Sequence, residues 1–259
     1  MKKIILLVFT IVISWLTVAF NQQYYDSLPE WDKYNIKLIN SILPSVVNIV
    51  WYEKTYKPVY EYIDLGWWFY VKVPKWYIFK WYQPVSMWTA FFLTSNWVLI
   101  TNAHVVKDKN LKYKAVTYDW KKYDIKILAI SDKYDLALIY IKWKNFKPVK
   151  LINSDNVMIW QTVFAIWNSL WKYPYTVSNG IVSWKWRSII AWWVYSKEML
   201  TNLIQTTAPL SPWNSWGPLI DSLWNVIWIN TAINLEWQNL WFAIPTNTII
   251  SWIYSLSKK

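Results

Sequence analysis

The chain has 259 residues, of which 55% are hydrophobic and 16% charged, a balance that excludes an intrinsically disordered polypeptide. Its formal net charge of +12 comes mostly from scattered lysines, and no arginine-rich block or RNA-binding motif accompanies them, which argues against a nucleic-acid partner. The absence of cysteine excludes disulfides and thiolate sites, the single histidine argues against a metal site, and no motif indicates a cofactor.

Tryptophan and glycine are present in unusual proportions. The chain contains 25 Trp and 3 Gly, whereas a typical usage of about 7% would give roughly 18 Gly in this length. Either UGA codons, which some bacterial lineages read as glycine, were translated here as Trp, or the protein is truly Trp-rich. Asn96-Trp97, Asp119-Trp120 and Trp224-Asn225 each border strand-like runs, where glycine would supply the positive φ that a turn needs.

The first predicted element is an N-terminal leader. Residues 1–20 begin with Met1-Lys2-Lys3 and continue as an apolar run, which is typical of a secretory signal peptide or a membrane anchor. The sequence leaves cleavage of this leader open. In either case we expect an exported protein that is periplasmic, on the cell surface or membrane-anchored. Residues 21–43 form an N-terminal segment with a predicted helix at 31–42, and residues 44–259 form the main domain.

The main domain has the pattern of a β-protein. Short β-type runs alternate with turn signals at roughly 8–12 residue spacing, which indicates a barrel or a sandwich. Residues 44–50 predict the first strand, and residues 51–85 predict a long hairpin or an inserted loop. We expect a short helix after His104 and an amphipathic helix at 246–257. The other predicted strands are 89–93, 98–101, 114–118, 125–130, 136–141, 162–166, 180–183, 203–206, 219–221, 226–230 and 242–245.

Three segments carry residue types that suit nucleophilic catalysis. The only histidine, His104, follows a strand-like run, Asp135 opens an apolar run, and Ser215 lies in the loop Pro-Trp-Asn-Ser-Trp-Gly-Pro-Leu at 212–219. Serine is a weak nucleophile, so a neutral imidazole must accept its proton as it attacks. A carboxylate then fixes the imidazole tautomer and stabilises the imidazolium. The three segments together predict a catalytic triad.

Other aspartates are also candidates for the acid of the predicted triad. Each of the three residues, taken alone, would be interpreted as structural. Asp132 and Asp124 also lie near enough in sequence to compete with Asp135, but neither opens an apolar strand run. This difference favours Asp135.

These segments and their order resemble the trypsin-like serine proteases, and more closely the bacterial HtrA/Deg branch. The resemblance extends from about residue 45 to residue 253. The matching segments are Thr-Asn-Ala-His-Val-Val at 101–106, Asp-Leu-Ala-Leu at 135–138, and residues 204–219, 225–231 and 241–245. Tryptophan occupies family glycine positions at Trp88, Trp160, Trp167, Trp213, Trp216, Trp228 and Trp241.

The resemblance implies an all-β fold of two six-stranded antiparallel β-barrels packed together, with short helices and the active site in the cleft between the barrels. It implies His104 as general base, Asp135 as its orienting acid and Ser215 as nucleophile. The backbone N–H groups of Trp213 and Ser215 would form the oxyanion hole. The implied specificity pocket is lined by Thr207, Ala208, Pro209, Leu210, Ile229, Asn230 and Thr231.

The implied function is a serine endopeptidase that cleaves polypeptides, expected to be misfolded envelope proteins, through an acyl-enzyme. Many family members are trimers held by N-terminal aromatic contacts, and Tyr24, Tyr25 and Trp31 would permit a homotrimer here. The chain ends soon after the protease domain, so we expect no PDZ domain.

Two other functions stay open at this point. If the tryptophans are genuine, an indole at Trp213 would crowd the oxyanion site, and the protein would be a non-catalytic, protease-like binding module. A Trp-rich membrane-surface or glycan-binding β-protein would require the triad-like segments to be coincidental.

Overall fold

The computed structural model describes residues 21–64, 70–108, 110–142, 146–169, 173–192, 197–209, 217–233 and 241–258. The expected leader at 1–20 lies outside them. The chain forms two compact units, one ending at Ser41 and the other beginning at Ile42. The first unit contains helical residues 21–27 and most of helix α1 (Glu30–Ile42), close to the predicted 31–42. None of the described helices has the length and apolarity needed to cross a membrane.

The first half of the second unit is a closed barrel of six antiparallel strands. The strands are β1 (Val46–Asp64), β2 (Tyr70–Phe92), β3 (Val98–Thr101), β4 (Lys112–Val116), β5 (Lys122–Ser131) and β6 (Leu136–Ile141). They follow one another around the barrel in the order β1-β2-β3-β6-β5-β4. Small and β-branched residues such as Val47, Ala90 and Ile139 are fully buried and form its core.

The second half is a seven-stranded sheet. Its strands are β7 (Lys150–Leu151), β8 (Thr162–Ser169), β9 (Tyr173–Trp192), β10 (Lys197–Thr206), β11 (Pro218–Asp221), β12 (Asn225–Ile233) and β13 (Trp241–Pro245). Their order is β11-β8-β9-β10-β13-β12-β7, and β11 also pairs with β12, which joins six of the strands in a ring. The helix α3 (Thr246–Leu256) follows β13. The predicted all-β fold with short helices is confirmed.

A buried asparagine links the two sheets. Asn168 in β8 is 1% exposed. Its Nδ2 donates to the carbonyl oxygen of Trp88 at 2.9 Å and to Oγ1 of Thr89 at 3.1 Å, both in β2. Its Oδ1 accepts from the backbone N–H of Tyr175 at 3.1 Å. All of these groups are polar and lie between two apolar cores, so the amide fixes how β8 meets β2.

Some element boundaries agree with the prediction and others differ from it. β3 and β6 have the predicted bounds, and residues 51–64 and 70–85 belong to a long hairpin rather than an inserted loop. β9 has 20 residues, against a predicted four, because its pairing with β8 and β10 continues far beyond its apolar stretch. The short helix α2 (Ala103–Val106) contains His104 and does not follow it. β7 has two residues, too few for a recognisable pattern.

Five tryptophans have a left-handed backbone. For a bulky L-residue this region is a genuine outlier and costs about 1–2 kcal/mol, whereas glycine adopts it freely. The positive φ expected at three predicted turns is therefore confirmed, and two further positions share it. The values are 81° at Trp97, 62° at Trp120, 75° at Trp160, 63° at Trp186 and 70° at Trp224.

Candidate active site

The end of β3 positions His104. At Asn102 the backbone is still extended, with φ −82° and ψ 152°, and it then turns into α2. Ala103 and Val105 on either side of His104 are buried in the barrel. Because its neighbours point inward, the His104 side chain is directed to the barrel rim, where it is 20% exposed.

The start of β6 brings Asp135 to the same place. β3 pairs with β6 so that Thr101 lies opposite Ala137, which sets the residue before β6 beside His104. Asp135 ends a single 3-10 turn, Asp132–Tyr134, and has φ 49° and ψ 48°. A short, polar aspartate tolerates this left-handed conformation. The residue is 7% exposed.

His104 and Asp135 form a tightly bonded pair. Nδ1 of His104 lies 2.8 Å from Oδ1 and 3.0 Å from Oδ2 of Asp135. The backbone N–H of His104 donates to Oδ1 at 3.2 Å, and Nδ2 of Asn102 donates to Oδ2 at 3.0 Å. Both carboxylate oxygens are therefore bonded to nitrogen donors, which offsets the cost of burying a charge.

This pairing determines which ring nitrogen of His104 can do chemistry. A carboxylate accepts hydrogen bonds, so Nδ1 carries the proton and the neutral ring presents Nε2 as its acceptor. An acceptor at Nε2 can take a proton from a hydroxyl nucleophile, and the imidazolium that results would face a buried carboxylate. The pair can thus act as a general base and later return the proton as a general acid.

The role of Asn102 was not predicted. Asn102 is fully buried, and its side chain bonds Asp135 directly. The sequence contains only a weak signal for it, namely a polar residue between a buried strand and a histidine-bearing helix. The two competing acids lie on the surface. Asp132 is 79% exposed and 3.8 Å from Lys107, and Asp124 is 87% exposed and 2.6 Å from Lys114.

An aromatic stack supports His104 from the barrel side. The Trp88 ring meets the His104 ring edge-on, with centroids 5.9 Å apart. The Trp51 ring packs on the Trp88 and Tyr113 rings, with centroid distances of 5.4 Å and 6.3 Å. Burial, together with the nearby charge of Asp108, raises the pKa of Tyr113 to about 12. The phenol therefore stays uncharged well above neutral pH.

The predicted nucleophile loop lies partly outside the described residues. Ser215, Trp213 and Leu210 belong to 210–216 and are not described. The exit of the loop is firmly held, because the carbonyl oxygen of Gly217 accepts from the backbone N–H of Asn230 at 3.1 Å and from its Nδ2 at 2.9 Å. A Cβ on Gly217 would overlap the backbone of Ile166, so this position requires glycine.

Residues predicted to line the pocket occupy two separate strand regions. Thr207 follows β10 and is tied to β9, because its N–H donates to the carbonyl oxygen of Ile181 at 3.1 Å and its Oγ1 accepts from the N–H of Ile181 at 3.0 Å. The carbonyl oxygen of Pro209 accepts from Ser178 Oγ at 2.7 Å. Ala208, Ile229 and Asn230 are fully buried. Thr231 continues β12, and its side chain lies outside the described part.

The family follows from the site together with the sequence around it. Residues 88–228, more than half of the chain, match the model of the trypsin-like peptidase domain. This range includes the His104–Asp135 pair and the 212–219 loop. The chain belongs to the trypsin-like peptidase family.

Within this family the chain is similar to HtrA and Deg proteases. It is 34% identical over 172 residues to serine protease HTRA1 of Xenopus tropicalis, covering 66% of this chain and 36% of that protein. It is 35% identical over 161 residues to the "probable periplasmic serine endoprotease DegP-like" of Chlamydia muridarum, covering 61% of this chain and 31% of that protein. The chain thus spans about a third of the length of these relatives.

Solved structures give the same likeness. The HtrA-type protease AlgW, solved with a decapeptide, superimposes with a TM-score of 0.69 at 26% identity, over 85% of this chain and 66% of that one. Deg5 superimposes with a TM-score of 0.61 at 25% identity, over 86% of this chain and 94% of that one.

Proposed function

We propose that this protein is a serine endopeptidase in which Ser215 is the nucleophile, His104 the general base and Asp135 the acid that orients it. The observation that carries the proposal is the bonded His104–Asp135 pair, whose geometry leaves Nε2 as the proton acceptor. Family membership supports the same chemistry.

In the proposed reaction, Ser215 Oγ attacks the carbonyl carbon of the scissile peptide bond while its proton passes to Nε2 of His104. The tetrahedral intermediate collapses as the imidazolium gives this proton to the leaving amine, and an acyl-enzyme remains. Water then attacks the ester and loses a proton to Nε2, which returns it to Ser215 as the acid product leaves. Asp135 stabilises the imidazolium in both halves and does not itself change protonation.

The oxyanion would be bound by the backbone N–H groups of Trp213 and Ser215, at about 2.7–4 kcal/mol of transition-state stabilisation per donor. The two bonds from Asn230 to the Gly217 carbonyl support this assignment, because they hold the end of the loop to β12. The pocket for the substrate side chain would lie between residues 207–210 and 229–231.

We further propose that the active protein carries glycine at Trp213 and Trp216 and at the five tryptophans with positive φ. The left-handed backbone at Trp97, Trp120 and Trp224 supports glycine there. UGA at these codons would agree with the proposal, and UGG at all of them would overturn it. With tryptophan at position 213, the chain is expected to be an inactive, protease-like binding module.

Polypeptides are the proposed substrates, with misfolded envelope proteins as the physiological class, because relatives are described as periplasmic endoproteases and a similar protease was solved with a decapeptide. An exported location, membrane attachment through the leader and a homotrimer are further parts of the proposal. Tyr24 and Trp31 are 66% and 53% exposed in the first unit and are available for such an assembly.

The proposal is tested by hydrolysis of an unfolded protein. We expect the chain with glycine at Trp213 and Trp216 to cleave reduced, unfolded casein and the Ser215→Ala variant of that chain to leave it intact. Cleavage by the Ser215→Ala variant would overturn Ser215 as nucleophile. A folded, glycine-containing chain that cleaves nothing would overturn the proposed activity.

A further inference from the structure

The β1–β2 hairpin extends beyond the first barrel. β1 pairs with β4 only from Asn48 to Tyr52, and β2 pairs with β3 only at Phe91 and Phe92. In the described part of the chain, residues 53–64 and 70–83 pair only with each other, and we call this two-stranded segment the ribbon. At 3.2–3.4 Å per residue the ribbon is about 40 Å long. Two strands alone bury little surface, so a ribbon of this length indicates a partner.

Both faces of the ribbon expose apolar side chains. Tyr56 lies directly opposite Phe79, and directly opposed residues share a face. Their rings meet edge-on, with centroids 6.0 Å apart. This tyrosine face consists of Tyr56, Tyr60, Tyr62, Tyr77 and Phe79, which are 44% to 66% exposed. The opposite face exposes Ile63, Val71 and Ile78, at 43% to 55%. The tyrosine face is the more extensive of the two, with five exposed aromatic rings.

The ribbon's polar residues are suited to a lipid headgroup layer. It contains five lysines and three acidic residues, for a net charge of +2 in a chain of +12. The Lys72 ammonium lies 4.2 Å from the centroid of the Tyr60 ring, which places a cation on the tyrosine face, against the aromatic surface. Tyrosine combines an apolar ring with a polar hydroxyl, which is why it is enriched at membrane interfaces.

The prolines argue against a protein strand as the partner. Pro58 in β1 and Pro74 in β2 each remove a backbone donor, and the lysines place charge along both edges. These are the features that prevent another strand from adding to a sheet edge. Unpaired edges also exclude insertion into the hydrocarbon, where no water could satisfy them. The hydrated headgroup region supplies these hydrogen bonds.

We propose that the ribbon docks on an anionic lipid surface and lies at headgroup depth, with its tyrosine face against the lipid and its lysines beside the phosphates. The argument uses no tryptophan and therefore holds whether or not Trp76 is glycine. Docking would hold the first barrel at the membrane independently of the leader.

A local probe tests this without interference from the leader. The full chain has no cysteine, so Tyr62→Cys allows attachment of a single polarity-sensitive fluorophore to the ribbon. The control is Leu223→Cys, in the turn between β11 and β12, where Leu223 is 73% exposed. With phosphatidylglycerol-containing vesicles we expect a blue shift and quenching by headgroup-level quencher lipids at position 62 and no change at position 223.

A second variant tests the aromatic side chains of the ribbon while the label stays at position 62. Replacing Tyr56, Tyr60 and Phe79 by Ser in the Tyr62→Cys chain should weaken the vesicle response about tenfold, while casein cleavage by the glycine-containing form stays unchanged. An unshifted label on vesicle-bound protein would overturn the proposal. A blue shift that appears without vesicles and grows with protein concentration would show that the ribbon binds a second copy of the chain instead of lipid. An equal response on neutral phosphatidylcholine vesicles would overturn the preference for anionic lipid.

Discussion

Asp135 and Trp97 both have a left-handed backbone, with φ of 49° and 81°. The aspartate side chain tolerates this conformation and the tryptophan side chain does not. At Asp135 a short polar side chain fits that conformation and is bonded by three nitrogen donors from Asn102 and His104. At Trp97 a bulky side chain occupies a turn for which glycine is the suitable residue. Asp135 and the turn at Trp97 therefore differ in whether the residue type suits the backbone conformation.

This difference indicates that the fold determines the left-handed backbone of a turn such as the one at Trp97, even though the tryptophan side chain disfavours that conformation. The turns at Trp120 and Trp224 repeat the conflict, with φ of 62° and 70°. The conflict is concentrated in one residue type, since five of the eight positive-φ positions in the described residues are tryptophans. Of the other three, Asp135 and Asn202 tolerate this conformation, and only Tyr175, with φ 60°, is also bulky. Such a pattern is what substitution of glycine by tryptophan at the level of decoding would produce.

The largest expected effect concerns the site. In the glycine-containing chain, Asp135→Asn should lower kcat about 10⁴-fold, because an amide cannot stabilise the imidazolium and favours the wrong tautomer. Steady-state hydrolysis of a peptide substrate measures it. Asp132→Asn, on the surface nearby, is the control and should retain activity. Equal losses in the two variants would contradict the assignment of Asp135.

Asn102→Ala should have a smaller effect in the same place. It removes the donor to Oδ2 of Asp135, a bond to a charged group worth about 1.5–3 kcal/mol. Asp135 would then orient His104 less well, and kcat should fall by no more than about 150-fold, the value reached if the whole energy were lost from the transition state. KM should change little, since Asn102 is buried behind the pair. A variant whose thermal stability falls while kcat is unchanged would limit Asn102 to a structural role.

The smallest effect concerns the turns, and β9 offers a matched comparison. Trp184 and Trp186 are 47% and 46% exposed, but only Trp186 has a positive φ, of 63°. Each glycine substitution removes a similarly exposed indole and adds similar backbone entropy to the unfolded chain. Trp186→Gly should therefore be about 1–2 kcal/mol more stable than Trp184→Gly in urea unfolding. Equal stabilities would remove the argument for glycine at position 186.

Local motifs made much of this structure predictable, and long-range pairing accounts for the rest. His104 and Asp135 could be chosen because each adjoins a short apolar strand whose bounds were correct. Asn102 and Asn168 could not be assigned, because their partners lie 33 and about 80 positions away in the chain. The exposure of the ribbon was equally hidden, since its alternating aromatic residues would suit a buried hairpin as well as a bare one.

The central claim is that Ser215 is a nucleophile activated by the His104–Asp135 pair. The most direct measurement is intact-mass and peptide-mapping spectrometry after reaction of the glycine-containing chain with a fluorophosphonate. We predict one adduct per chain, located on Ser215, and greatly slowed labelling in the His104→Ala variant. An adduct on another residue, or labelling that proceeds equally fast without His104, would contradict the account.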